Sequence, residues 1–200
     1  MATEIQIEGT AFLINGKPTY EGVTHQGRRT EGLLFNSRMV QAIFDDENPR
    51  TAHHWCYPDT GTWDADRNTN EFCAMLPEYR RFGLLAVTVG LQGGGSIYTP
   101  EVYPHYLNSA FTVEGDLKPA YFDRLARILK AADETGMAVI VNYFYWRQLE
   151  KLRGEQAIVR AAEAATDWLL RSGHRNILID VYNEFTAGDR IVQSERIHEL

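Results

Sequence analysis

Apolar and polar positions along this chain follow two rhythms. In the first, Ile5 and Ile7 alternate with polar residues, Phe12-Leu13-Ile14 is apolar, and Asn15-Gly16 follows. That dipeptide suits a two-residue turn with positive φ, so the segment predicts a β-hairpin with residues 19–24 as the return strand. The second rhythm begins at Arg38. Four mostly apolar runs, residues 39–44, 84–91, 137–144 and 177–182, predict buried strands. Continuous apolar runs suit parallel strands covered on both faces better than strands with one wet face.

Helical stripes lie between these runs. Phe72, Met75, Leu76 and Tyr79 share one face of a first helix, which Pro77 is expected to kink or split. Tyr121, Phe122, Leu125, Ile128, Leu129 and Ala132 form a second stripe, and Ile158, Ala161, Ala162, Ala165, Trp168 and Leu169 a third. A glycine follows each pattern, at Gly83, Gly136 and Gly173, as expected where a helix closes through the left-handed region.

Strand, helix, glycine and strand thus recur three times. The alternation predicts an α/β fold with a parallel sheet and right-handed crossovers. Residues 45–69 and 92–119, which lead from strand to helix, are far longer than the usual ~2–6 residues of such loops. Long loops at the C-terminal end of parallel strands are where such folds place their sites, in barrels and in open doubly wound sheets alike. Gly93-Gly94-Gly95 follows a strand but matches neither GxGxxG nor GxxxxGK[ST], which disfavours the nucleotide-binding open sheet. The expected architecture is an N-terminal β-hairpin followed by the first four βα units of a TIM (β/α)8 barrel, truncated. It forms one incomplete domain, with a hairpin and entry segment at 1–37 and half a barrel at 38–200. Residues 190–200 would start the fourth helix.

Composition narrows the partners. A net charge of −7 argues against a phosphate-backbone partner, which needs clustered Lys and Arg. Two cysteines, Cys56 and Cys73, give neither a disulfide framework nor a metal pattern. The N-terminus lacks the basic start and apolar core of a signal peptide, and no apolar run is long enough to span a bilayer. The expectation is a cytoplasmic protein without a nucleic-acid or membrane partner.

The strand ends carry the candidate chemistry. They offer Asp45 and Asp46, then Gln92, then Asn142, Tyr143, Tyr145 and Trp146, and finally Asn183 and Glu184. The loops add His53, His54, Trp55, Trp63, Tyr98, His105 and Asn108. Amides, carboxylates and aromatic rings with almost no lysine suit a carbohydrate, whose ring faces are apolar and whose hydroxyls need hydrogen-bond partners. Each aromatic also has a plainer reading as packing under a loop. Glu184 likewise has one, as a negative charge at the start of the next helix.

Asn183-Glu184 closes the fourth strand of an alternating βα series, and FLINGKPTYEGV forms an opening hairpin. In these features the chain resembles the (β/α)8 retaining glycoside hydrolases, the large clan containing cellulases, β-mannanases and β-galactosidases. The resemblance implies Glu184 as general acid/base and Asn183 as the amide that holds the sugar 2-hydroxyl, with no cofactor. A retaining enzyme also needs a second carboxylate ~5–5.5 Å from the first as nucleophile. The clan takes it from a Glu ending strand seven, and this chain has at most four barrel strands. Many members also carry a His where this chain reads Asn142-Tyr143-Phe144-Tyr145. The resemblance is therefore to a divergent branch, with the nucleophile expected in a missing C-terminal half and the present chain inactive alone.

Two other readings stay open. One is a non-catalytic carbohydrate-binding protein. The other is a metal-dependent (β/α)8 hydrolase, although Asp64–Asn70 fails the calcium-loop pattern, with Thr69 where glycine is required and Met75 where Glu is required. No metal ligands are assigned. A half barrel leaves two sheet edges unpaired, so self-association through them is expected.

Overall fold

The computed structural model describes residues 2–93, 105–183 and 190–200. Three antiparallel strands open the chain: β1 (Ile5–Glu8), β2 (Ala11–Ile14) and β3 (Lys17–Pro18). Asn15 and Gly16 join β2 to β3 with φ of 53° and 75°, the paired positive angles such a turn requires. The return strand is Lys17–Pro18, not residues 19–24. Thr19 still donates its amide to the Phe12 carbonyl at 3.0 Å, but Tyr20, with a positive φ of 52°, turns the chain away. A second small hairpin, β4 (Thr24–His25) with β5 (Arg28–Arg29), follows.

The main sheet is four parallel strands in the order β6 (Asn36–Arg38), β7 (Ala86–Gly90), β8 (Ala138–Tyr145) and β9 (Ile177–Asn183). The chain is thus mixed α/β, with strands neighbouring in sequence order as successive βα units require. Its helices are α1 (Ala65–Arg81), α2 (Pro119–Thr135), a single turn α3 (Trp146–Leu149), and α4 (Glu155–Ser172).

The first of these strands lies earlier than the apolar run suggested. β6 is the polar stretch Asn36–Arg38, and Val40–Ile43 form a 3-10 turn. The turn drives Ala42, Ile43 and Phe44 into the interior. A short buried turn and a buried strand both read as a run of apolar residues, so periodicity cannot separate them.

Side chains alternate across the sheet. Val87, Val89, Val139 and Val141 join the helix-side core with Leu76 of α1, Leu125, Ile128 and Leu129 of α2, and Ile158, Ala161 and Ala165 of α4. The opposite face is more polar. There Thr88 Oγ1 donates to Asn36 Oδ1 at 2.9 Å, and Asn142 Nδ2 donates to Asp180 Oδ2 at 3.1 Å.

The helix limits follow local chemistry. Asp64 caps α1 by accepting the Arg67 amide at 2.8 Å. Gly136 and Gly173 close α2 and α4 in the left-handed conformation. α1 runs unbroken across Pro77, so the expected split does not occur. Residues 190–200 do not begin an α-helix. They form two 3-10 turns, Arg190–Val192 and Ile197–Glu199, held by Arg196 bridging Glu155 and Glu199.

The N-terminal unit sits at the start of the parallel strands. Ile5 N donates to the Arg175 carbonyl at 3.0 Å, Thr3 Oγ1 to the Asp133 carbonyl at 2.7 Å, and Tyr20 Oη to the Gly83 carbonyl at 3.0 Å. It therefore occupies the end opposite the long loops. Among the described residues, no helix is long and apolar enough to cross a membrane.

Candidate functional site

The C-terminal ends of the strands gather most of the residues singled out by sequence. Tyr145 at the end of β8 is level with Asn183 at the end of β9. Gln92, just past β7, reaches both the neighbouring strand β8 and the second long loop. Its Oε1 accepts the Tyr145 amide at 3.2 Å and its Nε2 donates to Ser109 Oγ at 3.0 Å. Asn142 is buried and bound to Asp180, through the carbonyl at 3.2 Å as well as the carboxylate.

Gly93 lies against Tyr145. With φ of 105°, it would place a Cβ 3.2 Å from the Tyr145 ring, so glycine lets the loop cross the aromatic face. Its carbonyl accepts Nδ2 of the buried Asn108, whose Oδ1 accepts the Asp45 amide at 3.1 Å.

The two aspartates anchor the first long loop. Asp46 is 5% exposed. Its Oδ1 accepts the amides of Asn48 at 3.0 Å and Leu107 at 2.9 Å, and its Oδ2 accepts Trp55 Nε1 at 2.8 Å. Asp45 accepts Trp63 Nε1 at 3.2 Å and faces Arg124 at 3.4 Å. The Asp45 carbonyl also accepts the Tyr121 hydroxyl at 2.6 Å. The indoles of Trp55 and Trp63 meet Phe44 edge-on, with ring centroids 4.9 and 5.7 Å away. His105 is exposed, and its carbonyl accepts Asn48 Nδ2 at 2.7 Å.

Tyr143 points the other way. It is buried, and its hydroxyl pairs with Thr166 Oγ1 on α4 at 2.9 Å, which puts it on the helix side of the sheet. Burial pushes its phenol above the ordinary range. The Tyr121 phenol is also pushed up, first by burial and then by the charges of Glu47 and Asp45.

Asn183 holds the one strand-end amide nitrogen among these residues without a partner. Its Nδ2 is buried and makes no hydrogen bond among the described residues. Glu184 and Tyr98 lie outside the described residues. Trp146 begins α3, directly after Tyr145.

Two members of this network escaped the sequence reading. Asp180 interrupts the apolar run of β9, and a charge in such a run is a usable signal. Arg124 interrupts the apolar stripe of α2; it is 3% exposed, with its guanidinium 4.6 Å from the Tyr121 ring centroid. Among the described residues, no three His, Cys, Asp or Glu side chains gather as a metal site.

Comparison with known proteins is sparse. No family model matches the chain. No curated protein matches it either. Among solved structures, it is similar to the crystal structure of a glycoside hydrolase family 5 protein from Bacteroides vulgatus ATCC 8482, with 15% sequence identity and a TM-score of 0.45. That match covers 92% of this chain and 33% of the other, so the chain spans about a third of that protein's length.

Proposed function

We propose that this chain carries part of a glycoside-hydrolase-like carbohydrate site at the C-terminal end of its parallel sheet. The observation that carries the reading is the buried, unpartnered Nδ2 of Asn183 at the end of β9. A buried N–H without an acceptor costs about 1–3 kcal/mol, so it is a donor suited to a ligand oxygen such as a sugar hydroxyl. The next residue in the chain, Glu184, is the proposed proton donor.

In the retaining scheme, Glu184 protonates the leaving glycosidic oxygen while a second carboxylate attacks the anomeric carbon. The glycosyl–enzyme bond then yields to a water that Glu184 deprotonates. Asn183 would grip the 2-hydroxyl, where hydrogen bonds strengthen toward the transition state. The four parallel strands are read as the first four βα units of a barrel, with the nucleophile supplied by chain beyond Leu200. The present chain would then bind sugar without cleaving it.

Titration calorimetry with β-linked gluco-, manno- and xylo-oligosaccharides tests this. Binding to one class is expected, about tenfold weaker in Asn183→Ala, since one such hydrogen bond is worth ~1.4 kcal/mol. Absence of binding to every class, or unchanged affinity in Asn183→Ala, would overturn the proposal.

A further inference from the structure

The N-terminal unit meets the rest of the protein through contacts of opposite electrostatic character. At one, Glu4 forms an ion pair with Arg175, beside the Ile5 amide that donates to the Arg175 carbonyl. At another, each side contributes a cation. Lys17 of β3 and Arg80 of the last turn of α1 line one cavity of about 540 Å³. Neither has a carboxylate partner among the described residues, whereas Arg81, next to Arg80, is tied to Glu78 at 2.6 Å. Like charges brought together across a contact are unfavourable. The chain has 27 acidic residues against 20 Lys and Arg, so the cavity is electropositive within an acidic protein.

The rest of the wall is largely apolar. Ile14 and Pro18 come from the opening hairpin and Leu85 from the link into β7. Tyr20 lines the cavity too, with its hydroxyl donated to the Gly83 carbonyl at 3.0 Å. Burial raises the pKa of that phenol and the Arg80 charge opposes the rise, so the guanidinium stands within electrostatic reach of the hydroxyl.

We infer that this cavity binds a small organic phosphate monoester. Such a phosphate carries about two negative charges near neutral pH and accepts charge-assisted hydrogen bonds from both Lys17 and Arg80. A carboxylate neutralises only one of the two cations. The organic part lies on Ile14, Pro18 and Leu85, the apolar wall that small-molecule sites require beside their few polar groups. The bound ligand bridges β3 and α1, turns a repulsive contact into an attractive one, and tightens the docking of the N-terminal unit. The cavity lies at the opposite end of the parallel strands from Asn183, so the inference is independent of the carbohydrate reading. It also leaves both outer edges of the sheet to the barrel strands proposed above.

Titration calorimetry with phenyl phosphate, in a low-salt buffer free of other phosphate, is expected to show one saturable site. Inorganic phosphate lacks the apolar part and benzoate carries a single charge, so each should bind at least about tenfold more weakly. Lys17→Gln and Arg80→Gln alter exposed side chains and should each weaken phenyl phosphate about tenfold, through the loss of one charge-assisted hydrogen bond. Lys17→Glu pairs Arg80 from within the chain. It should raise the melting temperature without ligand and abolish the further rise that phenyl phosphate gives the unsubstituted protein. Absence of a saturable site, equal binding of inorganic phosphate or benzoate, unchanged affinity in either glutamine variant, or a phenyl phosphate response that survives in Lys17→Glu would each overturn the inference. Oligosaccharide binding is not read in this test, so the two proposals fail separately.

Discussion

The indole N–H of Trp55 donates to Oδ2 of Asp46 at 2.8 Å, while the other oxygen of that carboxylate holds the amides of Asn48 and Leu107. One buried side chain thus ties the first long loop both to itself and to the second. Asp46→Ala would leave three donors without their acceptor. A destabilisation of about 2–4 kcal/mol is expected, since each unsatisfied buried donor costs ~1–3 kcal/mol and water will reach some of them. Urea unfolding measures the loss, and a red shift of tryptophan emission in the folded variant should report the loosened Trp55.

Glycine positions separate backbone strain from collision. Gly16 has φ of 75° and open space around it, whereas at Gly115, with φ of 90°, a Cβ would lie 2.1 Å from the Ala157 carbonyl oxygen. Gly16→Ala should cost about 1 kcal/mol, the strain of the left-handed region alone. Gly115→Ala should cost at least twice as much, because α4 must shift. Parallel thermal melts of the two variants check the ordering.

Pro77 is exposed within α1 and cannot donate the amide hydrogen its position would otherwise supply. Pro77→Ala is expected to stabilise the protein by about 1–3 kcal/mol, below or near the full helix-interior penalty of proline. A fall in the urea midpoint would show that the ring makes a packing contribution exceeding that gain.

Alkaline pH provides a separate probe. Tyr121 and Tyr143 both have folded phenol pKa values raised by burial. The folded state therefore holds these protons longer than the unfolded chain, whose tyrosines ionise near ~10. The associated stability is fully present below that pH and falls as pH rises through the folded values. Tyrosinate absorbance for Tyr121 and Tyr143 should appear only with unfolding. In Tyr143→Phe the alkaline transition should shift to higher pH, with carbohydrate affinity unchanged because this ring faces α4.

The helices were legible because their apolar stripes are long and their ends carry Gly136 and Gly173. The β7 and β8 runs were legible because both faces of these inner strands are largely buried, and the β9 run because it is mostly apolar even though Ile179 is exposed. β6 was not, since a short edge strand with one open face keeps polar residues such as Asn36 and Arg38, while the apolar signal moved to the turn after it. Pro77 misled for a related reason: an exposed helix surface tolerates a missing amide that packing on Leu76 compensates. The strand-end residues were found by position. Sequence could not tell which were engaged, because Asp46, Gln92 and Asn142 are satisfied by partners 61, 17 and 38 positions away.

The docking of Thr3 and Ile5 onto Asp133 and Arg175 has a consequence during synthesis. At roughly 5–20 residues per second, the ribosome delivers Arg175 about ten to thirty seconds after Ile5. For that interval the opening hairpin can meet Gly83 and then Asp133 but lacks its strand contact at Arg175. Nascent chains arrested short of β9 should therefore leave β1 more open to protease than longer ones, with protection completed once Arg175 and β9 have emerged.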